Sequence, residues 1–224
     1  MNQGQKNITI ALWAVLVLVM VGVIGAGAWD HLRDGGRDKA ATLPTKPAAG
    51  SSTKPLPMLW PAPPFALTDQ DNKPFTDQSL LGHPYIAAFV FTQCAGPCPM
   101  ITSKMAQLQK TLKNPAVKLV SFSVDPMHDT PAALKEYAAK FDADFTRWSF
   151  LTGEPDAIYA VARGMKISAQ PAEAASPIIH STQLLLIDAA GQVRGIYRTG
   201  EHSDPDTLDR LSRDADMLAG GKAQ

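Results

Sequence analysis

Residues 85–99 read Tyr85-Ile86-Ala87-Ala88-Phe89-Val90-Phe91-Thr92-Gln93-Cys94-Ala95-Gly96-Pro97-Cys98-Pro99. The first seven form a continuous apolar run, the pattern of a strand buried on both faces. From Pro99 to Lys113, Ile101, Met105, Leu108 and Leu112 recur at helical spacing, so the chain switches from strand to helix at the two cysteines. Downstream the alternation repeats. Val117 to Val124 predicts the next buried strand. Thr130, as a cap, and Pro131 open a helix over Ala132–Phe141. Trp148–Leu151 predicts a strand, Pro155 to about Met165 a helix, and Gln183–Ile187 with Gln192–Tyr197 a hairpin turned by Asp188-Ala189-Ala190-Gly191. A helix from Asp204 to Leu218 closes the chain. Upstream, Phe65–Leu67 and Lys73–Phe75 flank turn residues Asp69–Asn72 as a short hairpin. Strands alternating with helices predict an α/β domain with a central sheet and helices on both faces. There is no internal repeat.

The chain has 224 residues, with 21 Lys+Arg against 21 Asp+Glu. That balance disfavours a basic nucleic-acid binder or an acidic tail protein. Residues 8–29 are uncharged and mostly apolar, long enough to cross a bilayer as a helix. Ala26-Gly27-Ala28 fits a signal cleavage site, but the run exceeds a signal core, which favours an uncleaved anchor behind a short tail, residues 1–7. Lys and Arg counts on the two sides do not orient it. Residues 30–62 carry Pro44, Pro47, Pro55, Pro57 and Pro61 and read as a Pro-rich, semi-rigid linker. Residues 63–220 are left as one domain of ordinary size.

Two cysteines cannot build a disulfide scaffold, and their closeness suggests a site. If Cys98 lies in the first helical turn, the free amides and the dipole favour its thiolate, and two activated sulfurs face one pocket. A plain disulfide closing so short a loop would contribute only about 2 kcal/mol. A buried inert pair is the other bland reading, although the surrounding prolines and glycine point to an exposed loop. Three residues between the sulfurs differ from the two of a redox motif. Thiolates are soft ligands that select Cu(I), zinc or iron–sulfur chemistry, and two are too few for a cluster or a closed zinc site. A third ligand from elsewhere would make a low-coordinate copper site. His31, His83 and His202 read as solvated. His180 immediately precedes a hairpin strand, where a ring can be held rigidly, but alone it is more often structural than a ligand.

The constellation resembles the Sco/SenC family. The resemblance is carried by Phe-Thr-x-Cys-x-x-x-Cys-Pro at 91–99, Ser-Val-Asp-Pro-x-x-Asp-Thr-Pro at 123–131, Trp-x-x-Leu-Thr-Gly at 148–153, and His-Ser followed by Leu-Ile-Asp at 180–188. It implies a thioredoxin-like fold, a central mixed sheet flanked by helices and preceded by one transmembrane helix. It also implies a copper metallochaperone in which Cys94, Cys98 and His180 bind copper, as Cu(I) with Cu(II) as a second state. The copper would pass to the dinuclear copper centre of cytochrome c oxidase during assembly. Expected partners are the copper-centre subunit of that terminal oxidase, other copper chaperones or thiol reductants, and the membrane, with no nucleic acid. The domain would sit in the periplasm, or otherwise outside the cytoplasm, on a single-pass plasma-membrane anchor. The alternative is an enzyme, a tethered thiol–disulfide oxidoreductase reducing the cysteines of that centre, with Cys94 attacking and Cys98 resolving. Asp125 matches the family pattern and either orients the site from behind its ligands or is a cap or turn residue before Pro126. His128 lies outside the motif and reads as solvated. Ala95 stands where the family usually has proline, and Ile179 where it often has an acidic residue.

Overall fold

In chain order the computed structural model, which describes residues 55–94, 96–167, 182–200 and 203–221, runs β1 (Trp60–Pro61), β2 (Ala66–Asp69), β3 (Pro74–Thr76), a 3₁₀ turn (Asp77–Leu80), β4 (Tyr85–Val90), α1 (Pro97–Thr111), β5 (Lys118–Ser123), α2 (Pro131–Ala139), β6 (Trp148–Thr152), α3 (Pro155–Gly164), β7 (Gln183–Ile187), β8 (Gln192–Arg198) and α4 (Thr207–Gly220). The strands form one mixed sheet in the order β1-β8-β7-β4-β5-β6-β2-β3. Its centre, β4-β5-β6, is parallel, and every outer pairing is antiparallel. This mixed sheet with flanking helices is consistent with the expected thioredoxin-like fold. The described residues all belong to one unit that begins at Lys54.

All six residues of β4 are buried because both faces are covered. Ile86, Ala88 and Val90 face one cluster with Leu119, Trp148 and Phe150 of the sheet, Ile101, Met105 and Leu108 of α1, Leu134 and Tyr137 of α2, and Leu211 and Ala215 of α4. Tyr85, Ala87 and Phe89 face the other, with Val120, Phe122, Leu151 and Leu185 of the sheet and Ile158, Val161 and Ala162 of α3. The period-two alternation of a strand sends successive residues to opposite faces, and each fully buried Ile, Leu or Phe contributes about 1.5–3 kcal/mol. The polar edge of Trp148 is accommodated as well, its Nε1 donating to Ser121 Oγ at 3.0 Å.

The expected elements are present with shifted ends. Thr130 caps α2, its Oγ1 accepting from the Ala133 amide at 3.2 Å. The 188–191 turn is closed by Asp188 Oδ1, which accepts from the Ala190 and Gln192 amides at 2.9 Å, with Gly191 at φ +75°. The last helix starts at Thr207 rather than Asp204, because Asp204 to Thr207 form a separate turn, with Thr207 N donating to Asp204 O at 3.0 Å. The end of the proline-rich segment is not a free spacer. Leu59 N and Ala62 N donate to Val193 O and Gly191 O, and Arg194 holds the Leu56 and Pro57 carbonyls. Pro61 is tolerated there because β1 is an edge strand. His83, expected to be solvated, has a buried Nδ1 with no partner among the described residues. The tail at 1–7, the anchor at 8–29, the linker as far as residue 54, Ala95, and His31, Ile179, His180 and His202 lie outside the described residues. Among the described residues no helix is long and apolar enough to cross a membrane.

Candidate metal centre

β4 ends at Val90, and the chain crosses to α1 through residues 91–96, with Gly96 at the N-cap and a proline at the helix start. The helix starts at Pro97, two residues earlier than the helical periodicity placed it, so Cys98 is in its first turn. Four residues on, Thr102 Oγ1 donates to the Cys98 carbonyl at 2.9 Å and lies 2.8 Å from the Tyr137 hydroxyl, which ties α1 to α2 at the level of the sulfur.

The other end of the cysteine loop is fastened from the β5–α2 connection. The Thr92 amide donates to Asp129 Oδ1 at 3.1 Å, the Thr92 hydroxyl to the same oxygen at 2.6 Å, and Ser123 Oγ to Asp129 Oδ2 at 2.6 Å. Asp129 is fully buried. Burial raises its carboxyl above the ordinary carboxylate range, against the opposing hydrogen bonds from Ser123 and Thr92. Sequence reasoning did not single out this residue. The signal was present, since Thr92 and Asp129 stand in two of the quoted motifs, but nothing in the sequence pairs them.

Neither cysteine is in a disulfide; Cys94 is half-buried and Cys98 fully buried. They are hydrogen-bonded to each other. The expectation that the helix terminus favours a Cys98 thiolate is outweighed by burial. Desolvation pushes its thiol far above the usual range; a backbone hydrogen bond from Phe91 opposes that, and Cys94 and Asp129 add to it. The loop is also less exposed than its prolines and glycine suggested, because the apolar cluster under α1 and α2 takes in Cys98 and Cys94 packs against it. Tyr137, a second residue that sequence reasoning passed over, has its hydroxyl pushed up to about 12, chiefly by burial and further by the nearby cysteines.

Asp125 is 8% exposed. Its carbonyl accepts from the His128 and Asp129 amides at 3.1 and 2.9 Å, the geometry of a turn residue. Both of its carboxylate oxygens lie 2.9 Å from His128 Nδ1. His128 is thus exposed, as expected, and also paired. Among the described residues no three His, Cys, Asp or Glu side chains converge on one point, and His180 lies outside them.

Two adjacent soft sulfurs, that of Cys98 desolvated, can do two things. They can exchange their protons for a soft cation whose charge offsets the burial of thiolate, or they can exchange electrons with a disulfide.

Residues 60–214 match the family model described as SCO1/SenC. The chain is 33% identical over 165 residues to a Bacillus subtilis SCO1 protein homolog, covering 72% of this chain and 86% of that one. It is similar to the structure of BsSco, described as a member of the Sco family of cytochrome c oxidase assembly proteins with a disulfide switch. That match has TM-score 0.66 and 32% identity, over 75% of this chain and 100% of that one. It is also similar to Bradyrhizobium japonicum ScoI with copper bound, with TM-score 0.57 and 29% identity, over 68% and 98% of the two chains.

Proposed function

The chain belongs to the SCO1/SenC family, and from that premise we propose that it is a membrane-anchored copper metallochaperone serving cytochrome c oxidase assembly. Copper is the metal, and Cys94, Cys98 and His180 are its ligands in this reading. The observation that carries it is the pair of mutually hydrogen-bonded thiols, not joined as a disulfide, where the cysteine loop enters α1. Copper bound there would supply a soft monovalent centre to be passed on to the dinuclear copper centre. The chain's own contribution is to hold the two sulfurs together, shield Cys98 from water and release its proton as the ion enters. Asp125 stays a candidate for orienting the site from behind its ligands. Residues 8–29 are the proposed anchor and 30 to about 55 the tether, the rest of the expected linker being docked on the sheet, with the domain outside the cytoplasm; protection of the domain from protease in spheroplasts until the inner membrane is broken would overturn that placement.

A Cu(I) competition titration of the full chain against Cys94→Ser and Cys98→Ser tests the ligand assignment. Each variant is expected to lose tight binding. Wild-type affinity in either overturns the reading.

The asymmetry of the two thiols favours a second reading, a thiol–disulfide oxidoreductase. Half-buried Cys94 would attack a client disulfide as thiolate, forming a mixed disulfide and releasing one client thiolate. Cys98, after losing its proton, would displace the second client thiolate, so the client is reduced and the Cys94–Cys98 pair is left as a disulfide.

A further inference from the structure

We propose that Met127 and His128 form a second Cu(I) site, outward-facing on the loop that clamps the cysteines, with the Asp125 carboxylate fixing the imidazole; this rests on the copper reading of the chain. The connection between β5 and α2 is fastened to the cysteine loop at two points. Val124 N donates to Val90 O at 2.9 Å, and Asp129 holds Thr92. Between these points, Met127 is 74% exposed, the most exposed large apolar side chain among the described residues. It gains nothing from packing there.

Next to it, the side chain of His128 is 58% exposed while its Nδ1 is engaged by both oxygens of Asp125, itself only 11% exposed. A ring held by a carboxylate on one nitrogen presents the other, and this is the arrangement by which proteins orient metal-binding imidazoles. His128 Nε2 makes no hydrogen bond to any described residue. A thioether and an imidazole on consecutive residues are a soft and a borderline neutral donor. Zinc generally requires four ligands, and magnesium or calcium requires oxygens; a two-donor set of this kind suits Cu(I). Two neutral ligands in water hold copper loosely, which fits a site that collects the ion and yields it to the thiols of the loop that this connection clamps.

The test uses the full chain in two backgrounds. In Cys94→Ala/Cys98→Ala/His180→Ala, titration of Cu(I) against a chromogenic Cu(I) chelator should reveal one residual site per chain. Adding Met127→Leu and His128→Asn should abolish that site, and Asp125→Asn should weaken it about 10–100-fold. No residual site, or one indifferent to Met127 and His128, overturns the proposal. With both cysteines and His180 intact, Met127→Leu/His128→Asn should leave the equilibrium Cu(I) affinity unchanged and slow copper uptake from the chelator several-fold; an unchanged uptake rate also overturns it. The two replaced side chains are exposed, so folding is not at stake. Failure of the cysteine site to bind copper would sink the carrier reading without affecting the triple-variant titration, so the two failures are separable.

Discussion

The Asp129 carboxylate accepts the Thr92 hydroxyl at 2.6 Å and the Thr92 amide at 3.1 Å, joining loops 37 residues apart in sequence just before Cys94. With Ser123 Oγ as a third donor, Asp129→Ala leaves buried polar groups unmet, each worth about 1–3 kcal/mol. The variant should therefore lose at least about 2 kcal/mol of unfolding free energy and release copper faster. Asp129→Asn keeps an acceptor for Thr92 and should be milder. The folded-state carboxyl is raised above its unfolded value, so the folded protein binds this proton more tightly, and the stability it brings is lost as pH rises from about 3.9 through the folded value. Asp129→Asn should flatten that part of a urea-midpoint profile; an unaltered slope would contradict the assignment.

Alkylation should distinguish the two sulfurs. Cys98 is fully buried, with its thiol raised mainly by desolvation, whereas Cys94 is half-buried. Thiolate character and access control the rate, so in apo protein iodoacetamide should modify Cys98→Ser quickly, at Cys94, and Cys94→Ser slowly, at Cys98. Because the folded value of Cys98 lies above its unfolded one, apo stability should fall as pH climbs above about 8.5. Bound copper, by holding the sulfur as thiolate, should abolish that fall. Equal alkylation rates in the two variants would rule out the asymmetric pair.

His128 should titrate above the ordinary histidine value of about 6.5, because Asp125 hydrogen-bonds and attracts its charged form. The stabilisation from the pair is fully present below the unfolded value and is lost as pH rises through the folded one. An NMR titration of the ring protons checks the shift, and Asp125→Asn should return it toward 6.5. A His128 midpoint unaffected by that substitution would show that the two side chains are not paired in solution.

What the sequence revealed was local. The apolar run 85–91 became β4, and the 3.6-residue spacing of Ile101, Met105 and Leu108 became the core face of α1, because periodicity records which face is covered. Features set by distant chain were not visible. The buried state of Cys98 depends on cover that α2 brings over α1, and it outweighs the local helix terminus that argued for a thiolate. The docking of Leu59 and Ala62 onto β8 depends on carbonyls some 130 residues later, against a composition that reads as tether. Asp129 has a plausible local role next to Thr130 and Pro131, and only the assembled sheet supplies Thr92. Family resemblance, not periodicity, pointed to His180.

His180→Ala should divide the carrier from the reductase. It removes the proposed nitrogen ligand and leaves Cys94, Cys98, the start of α1 and the Asp129 clamp in place. A carrier should lose Cu(I) affinity by more than the roughly 10–100-fold that follows removal of an outer partner alone, and oxidase assembly should fail with it. A reductase should keep most of its rate toward a disulfide substrate, since the attacking thiolate depends on its own ionisation and access. Copper affinity, thiol-exchange rate and oxidase assembly are therefore to be measured on the same variant. Lost copper and lost assembly with exchange intact identify delivery as the function. Assembly maintained without copper would instead make the electrons of the Cys94–Cys98 pair the delivered commodity.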